Sequence, residues 1–216
     1  VDQCRRRGIA YREASFVLVE LGGAYTAVMA VWEGRVVDGI GGTTGGPGYY
    51  SLGAMDGELA YLLGGFTKST LFSGGAADIA GVRGLSPEAF AAQARDTPGL
   101  RDAWDAVLEG VVKSVAAEMA VVPHAREILL SGRLCRTPEV REALTSRLSR
   151  FAPVHYVQGI ASVAKEAAQG TAIMADGLAG GRYAPVVDAM DLRGAAGTAL
   201  DYLCVAGGED VRRRYA

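Results

Sequence analysis

Near the start of the chain, apolar residues fall in three closely spaced runs: SFVLVEL (15–21), TAVMAVW (26–32) and RVVDGI (35–40). Each is short and partly β-branched, and the breaks between them carry Gly22-Gly23 and Glu33-Gly34. The pattern predicts an antiparallel meander of three strands. The stretch GGTTGGPGYYSLG that follows is too rich in glycine for helix or strand. After it the period changes. AMDGELAYLLGG predicts a short helix closed by glycine, and SPEAFAAQAR a helix with Ser86 as N-cap, Pro87 at its first position and Glu88 in its first turn. In LRDAWDAVLEGVVKSVAAEMAVV (100–122), Leu100, Trp104, Val107, Leu108, Val111, Val112, Val115 and Met119 recur at three-and-four spacing, which predicts a long amphipathic helix. REILLSG (126–132) and APVHYV (152–157) predict two further strands. Each leads to a helix: TPEVREALTSRLS (137–149), with Thr137 as cap and Pro138 at its first position, and SVAKEAAQGTAIMADGLAGG (162–181), rich in small residues.

The order βββ, helices, β, α, β, α predicts an α/β protein of ribonuclease H-like fold, a mixed central sheet with flanking helices. Residues 1–14, VDQCRRRGIAYREA, read as the end of a helix and a linker already under way. Residues 15–216 then form one unit with a helical insertion at about 53–99, and the chain is expected to be the later part of something longer.

Composition narrows the class. Half the residues are hydrophobic and the formal net charge is −2, which suits a globular protein and argues against a nucleic-acid partner. No run approaches the roughly 20 apolar residues of a membrane span, and no signal peptide is visible. Cys4, Cys135 and Cys204 form no CxxC pair, as expected of free thiols in a reducing cytoplasm. His124 and His155 share no metal-ligand spacing and read as ordinary loop or strand-edge residues. The arginine runs at 5–7 and 212–214 read as solvated ends. The 30 glycines are about twice the usual share of roughly 7%. They cluster at 39–48, 74–84 and 177–181, so they mark loops and close contacts.

Candidate chemistry begins at the first hairpin. A turn through Gly22, Gly23 and Ala24 exposes backbone N–H groups that no side chain covers, a natural anion cradle. Thr26 adds a hydroxyl. Glu20, at the end of the first strand, can hold Mg²⁺ directly or through water. Taken alone, residues 20–26 read better as a plain hairpin turn with an exposed acid. A second segment, EILLSGRLCRTPEV (127–140), puts Ser131, Gly132 and Arg133 between a strand and a helix. A glycine there lets a flat ring lie against the backbone, although the segment also suits an ordinary connection. In the loop after the third strand, Gly42, Thr43, Thr44, Gly45 and Gly46 could approach a phosphate or acyl substrate, or merely connect. Asp56 and Glu58 read as first-turn acids of a helix.

Together and in this order, ELGGAYT and ILLSGRL resemble the second phosphate motif and the adenosine motif of the superfamily of acetate and sugar kinases, heat-shock chaperone ATPases and actin. Asp is more usual than Glu20 there, and a second glycine more usual than Arg133. The stretch from Phe16 through LLG (62–64), with AAQGTAIMADGLAGGRY and GTALDYL, is similar to an archaeal family described as predicted butyrate kinases. The resemblance implies that the chain is the C-terminal, actin-like ATPase lobe of such a protein, with ATP and Mg²⁺ as cofactors. Glu20 would serve at the metal, Gly22, Gly23, Ala24 and Thr26 at the phosphates, and Ser131, Gly132 and Arg133 at the adenosine. Gly177 would lie near the base. The first phosphate motif belongs to the N-terminal lobe.

Three function classes follow. The leading one is an ATP-dependent phosphotransferase acting on a small-molecule carboxylate, cytoplasmic, with room for a homodimer. A carboxylate acceptor is already ionised near neutral pH and needs no general base, which suits a chain without an obvious catalytic histidine. The second is a non-catalytic ATP-binding switch or interaction module. The third, a ribonuclease H-type nuclease, needs several converging carboxylates, and only Glu20 and Asp38 stand near the first strands.

Overall fold

The computed structural model describes residues 1–65 and 67–215. A short helix, α1 (Asp2–Arg7), leads into β1 (Phe16–Leu21), β2 (Thr26–Trp32) and β3 (Arg35–Ile40). The chain then passes through α2 (Gly57–Leu63), α3 (Ala76–Ile79) and α4 (Pro87–Gln93) into the long α5 (Pro98–Val121). The rest is β4 (Ile128–Ser131), α6 (Pro138–Leu148), β5 (Val154–Tyr156), α7 (Glu166–Leu178), α8 (Ala184–Ala189) and α9 (Gly208–Tyr215).

The strands form one mixed sheet in the order β3-β2-β1-β4-β5. β1 pairs antiparallel with β2 and parallel with β4, and β5 continues the parallel side. The meander and both later strands are thus where the hydrophobic pattern puts them. Glu33 and Gly34 turn with φ of 50° and 82°, the left-handed values a two-residue hairpin needs to match the strand twist.

Alternation along β1 sorts its side chains between two layers. Val17, Val19 and Leu21 are buried in a core with Val107, Leu108, Val111 and Val115 of α5. Phe16 and Leu18 point to the other face and share a cavity with Ile173, Met174 and Val186 of α7 and α8. β4, flanked on both sides, is buried at every position. The insertion is anchored to this core by aromatic contacts: Phe90 of α4 packs between Tyr49, at 5.3 Å, and Trp104, at 6.0 Å.

Several local expectations are corrected. The last small-residue helix begins at Glu166, not 162, because the Gln169 side chain holds the preceding loop open. Its amide accepts from the N–H groups of Ile160 (2.6 Å) and Ala161 (3.1 Å) and donates to the carbonyls of Ala161 and Ala164. Thr137 precedes α6, but its hydroxyl makes no capping bond. The arginine runs are not simply solvated. Arg6 bridges Asp2 (3.0 Å) and the buried carboxylate of Glu127 (2.9 Å), tying α1 to the start of β4. Arg212 donates to the carbonyls of Leu200 and Leu203.

Glu118, in the last turn of α5, is 1% exposed, and neither carboxylate oxygen has a hydrogen-bond partner among the described residues. Burial, reinforced by the charge of Asp38, pushes its carboxyl up, and the nearby Ile40 N–H works against that rise. A carboxyl whose pKa is raised on folding costs nothing while both states are protonated. As pH climbs past the ordinary glutamate value, the unfolded chain ionises first and stability falls until the folded pKa is passed. Glu118→Gln is therefore expected to flatten this decline and to melt above the parent near pH 7. Melting temperatures of both proteins from pH 4 to pH 8 check it, and parallel curves would show that Glu118 is not held neutral.

Candidate functional site

Parallel pairing of β1 with β4 ends at Glu20 opposite Ser131, so the two segments singled out in the sequence finish side by side at the C-terminal ends of two interior strands. Just beyond, Gly132 is buried with φ of 97°. A Cβ there would stand 2.5 Å from the Leu21 carbonyl oxygen and 2.9 Å from Glu20 Oε1. Only glycine allows β4 to leave the sheet this close to the Glu20 carboxylate. The carboxylate makes no hydrogen bond among the described residues, so it is free to take a ligand. Beneath it lies Cys135, whose buried thiol is pushed up to about 12, chiefly by burial and further by Glu20. That thiol is inert at neutral pH.

The hairpin turn between β1 and β2 completes this end of the sheet. The Gly22 N–H is spent on the Tyr25 carbonyl at 3.0 Å, which leaves Gly23 and Ala24 at the tip. Among the described residues, the N–H groups of Gly23, Ala24 and Tyr25 have no acceptor in the protein. Thr26 is nine-tenths buried, and its hydroxyl also has no partner. Unpaired donors at one half-buried turn are an unbalanced arrangement that an anion would satisfy.

The glycine-rich loop holds this turn in place. Ser51 N–H donates to the Ala24 carbonyl at 3.3 Å, and a Cβ on Gly48 would collide with the same carbonyl. A Cβ on Gly42 would strike the Tyr25 ring, one on Gly46 would come within 2.6 Å of Gly110 Cα in α5, and one on Gly45 within 2.9 Å of the Ile40 side chain. These glycines are accounted for by close backbone packing behind the turn, a need the composition alone did not reveal. Thr43 and Thr44 are exposed, and the Thr44 hydroxyl is bonded to Gly41 within its own turn. Asp56 is the N-cap of α2 and accepts from the Glu58 and Leu59 N–H groups, as its position before the helix predicts.

Gly177 stands apart from these residues, which corrects its expected place. It lies near the C-terminal end of α7, where a Cβ would meet the Val187 side chain at 2.5 Å and the Tyr183 carbonyl at 2.6 Å. α8 in turn contacts residues 11–13, which precede β1. The end of α7 that approaches the candidate site is its first turn, where Glu166 pairs with Arg136 at 2.9 Å. Gly177 serves helix packing.

A groove of about 540 Å³ opens over the turn, lined by Gly23, Ala24, Arg133, Tyr50, Arg83 and the Gly84–Pro87 segment. It joins the tip of the β1–β2 turn to Arg133. Tyr50 and Arg83 were not legible as groove residues, nor Glu88 as the partner of Arg133: Tyr50 follows the glycine loop, and the insertion wraps Arg83 and Glu88 back from far along the chain. The one local signal was the Tyr49-Tyr50 pair beside the glycine loop. Arg83 lies over the Tyr50 ring at 5.7 Å and pairs with Asp78. Glu88, in the first turn of α4, pairs through both oxygens with Arg133. Burial would push the Glu88 carboxyl up, but the Arg133 guanidinium outweighs it and holds the carboxyl below its usual range.

The chain belongs to the family described as Protein of unknown function (DUF1464), whose sequence pattern matches residues 1–205. No curated protein matches it. Among solved structures, it is similar to the acetate kinase of Entamoeba histolytica, with a TM-score of 0.59 and 14% identity over 69% of this chain and 43% of the kinase. The acetate kinase of Porphyromonas gingivalis gives 0.58 and 15% over 69% and 40%. A propionate kinase from Francisella tularensis gives 0.55 and 16% over 67% and 46%. The chain spans less than half the length of each of these kinases. The likeness is one of fold: the chain shares with part of each of these kinases an α/β, ribonuclease H-like architecture, a mixed central sheet with flanking helices. Among the described residues, no helix is long and apolar enough to cross a membrane.

Proposed function

We propose that this member of the DUF1464 family is the nucleotide-binding, C-terminal lobe of an ATP-dependent phosphotransferase that acts on a short-chain carboxylate, of the butyrate kinase kind. One observation carries the reading. Glu20 and Gly132, more than a hundred residues apart, meet at the ends of two neighbouring strands beside a turn whose N–H groups and Thr26 hydroxyl lack partners. These residues fit the groups an adenine nucleotide presents. The turn offers N–H donors to phosphate oxygens, Glu20 offers one carboxylate, and Gly132 lets the end of β4 lie against both. Mg²⁺ commonly binds through one or two protein carboxylates with waters and phosphates, and when bound it neutralises phosphate charge.

Residues of the chain would act by binding and positioning. The turn fixes the phosphates, the glycine loop keeps the turn rigid, and Thr26 supplies a donor that is already desolvated. The acceptor carboxylate needs no proton removed. Its place, and the exclusion of water from the transferring group, belong to a cleft shared with a second lobe. Holding two substrates in line and dry contributes on the order of 7–11 kcal/mol to lowering a barrier.

Calorimetric titration of ATP with Mg²⁺, followed by acyl-phosphate assays with butyrate and acetate, tests the reading. These 216 residues alone are expected to bind ATP weakly and to form no acyl phosphate, whereas the full-length protein turns over. Efficient turnover by the isolated chain would refute the two-lobe division. Tight ATP binding by the full-length protein without turnover on any short carboxylate would favour a nucleotide-driven switch instead.

A further inference from the structure

Both arginines of the groove are engaged with carboxylates, but not equally. Arg83 donates to Asp78 at 2.5 and 3.0 Å and to the Phe72 carbonyl at 2.7 Å, while Asp78 also accepts from the Gly74 N–H at 2.8 Å. That pair is woven into its own loop. The Arg133 side chain is 65% exposed, and Glu88 is its one hydrogen-bond partner among the described residues. Glu88 grips it as a fork, with Nε and one Nη each donating to a carboxylate oxygen. A phosphate offers a guanidinium the same fork. Gly23 and Ala24, whose N–H groups are unpaired among the described residues, line the same groove, and Tyr25 follows them in the turn.

We propose that Glu88 is an internal stand-in for the ligand's phosphate: it occupies Arg133 until a phosphate settles on the 23–25 turn, and Arg133 then exchanges the carboxylate for that phosphate. The inference rests on the nucleotide reading of the groove and adds a control of affinity to it. Glu88 opposes binding twice, by filling the Arg133 fork and by repelling an incoming polyanion. Asp78 and Arg83 remain in place throughout, and their charge keeps the opposite wall neutral.

The test is calorimetry on the full-length protein with ATP, with tripolyphosphate as a phosphate-only probe and with adenosine as a probe without phosphate. Glu88→Gln keeps the shape of the residue and removes its charge. It is expected to tighten ATP and tripolyphosphate binding about two- to fivefold, the range set by releasing an exposed ion pair. Adenosine binding should stay unchanged. In an Arg133→Gln background, most of the Glu88→Gln gain should vanish. Melting curves of both variants close to the parent's show that the fold is kept. No gain in Glu88→Gln, an equal gain for adenosine, or a gain undiminished by Arg133→Gln would each overturn the exchange. Binding of tripolyphosphate with the expected gain, but no binding of ATP, would overturn the nucleotide reading and leave the exchange standing. Failure of every probe to bind overturns both.

Discussion

Glu20→Ala in the full-length protein is expected to lower Mg²⁺-dependent turnover by about a hundredfold or more, roughly 2.7 kcal/mol of barrier, while the melting temperature barely moves. The two effects separate because of what Glu20 does not touch. Its carboxylate makes no hydrogen bond among the described residues, so removing it orphans no buried partner. The side chain is half-buried at the end of β1, where its loss leaves solvent and not a core cavity. Its oxygen nevertheless stands against Gly132, at the point where the β1–β2 turn and the end of β4 converge. Glu20→Gln extends the test. The amide preserves shape but offers the metal no charge, so it should be nearly as impaired as alanine. Turnover of Glu20→Ala within about threefold of the parent, roughly 0.7 kcal/mol, would remove Glu20 from the metal site. Full activity in Glu20→Gln alone would reduce it to a spacer.

The strands were legible in the sequence because a sheet buried on its α5 face writes its period into β1 and β2, and glycine marks the ends. Val17, Val19 and Leu21 alternate inward, and Val28 and Ala30 answer from across the ladder. The long helix was legible for the same reason, through the stripe from Leu100 to Val115. What failed was whatever depended on side chains reaching across the fold. Gln169 decides where α7 begins, by bonding a loop that sequence pattern reads as helix. The helix α8 was missed although Pro185 stands at its first turn, the signal that did locate α4 and α6. The glycine loop drew attention as a substrate loop, yet each glycine from 42 to 48 described above has a backbone or ring pressed against it. Composition reports that room is needed and not what fills it. At the site, motif order brought Glu20, the 22–26 turn and Gly132 together correctly, since parallel pairing of two strands places their ends side by side. Arg83 reaches the groove, and Glu88 reaches Arg133 on its wall, only because the insertion folds back through Phe90, a tertiary event without a local signature.

Gly132→Ala should be the most damaging single-methyl change in the site, costing both stability and ligand binding. Two penalties add. At φ of 97° an L side chain is strained, by about 1–2 kcal/mol on the scale of left-handed backbone. The added Cβ would also stand 2.5 Å from the Leu21 carbonyl oxygen and 2.8 Å from its carbon, backbone atoms of the central strand that cannot swing aside as a side-chain tip would. Overpacking of that kind costs about 1–3 kcal/mol. The sum of about 2–5 kcal/mol corresponds to a fall in melting temperature of about 5–15 °C for a chain of this size. Whatever relief the structure finds must push β4 away from β1 or turn Glu20 aside, because Glu20 Oε1 is the third atom in the way. Nucleotide binding should therefore weaken even at temperatures where the variant is folded. Gly170→Ala is the matching control: it lies inside α7 with nothing within 4 Å of the new methyl and without a left-handed φ. It should stabilise by about 0.5–1 kcal/mol. Thermal melts and ATP titrations of the two variants side by side settle the matter. A Gly132→Ala protein that melts with the parent and binds ATP equally well would mean that β1 and β4 do not approach as closely at their ends as the site requires.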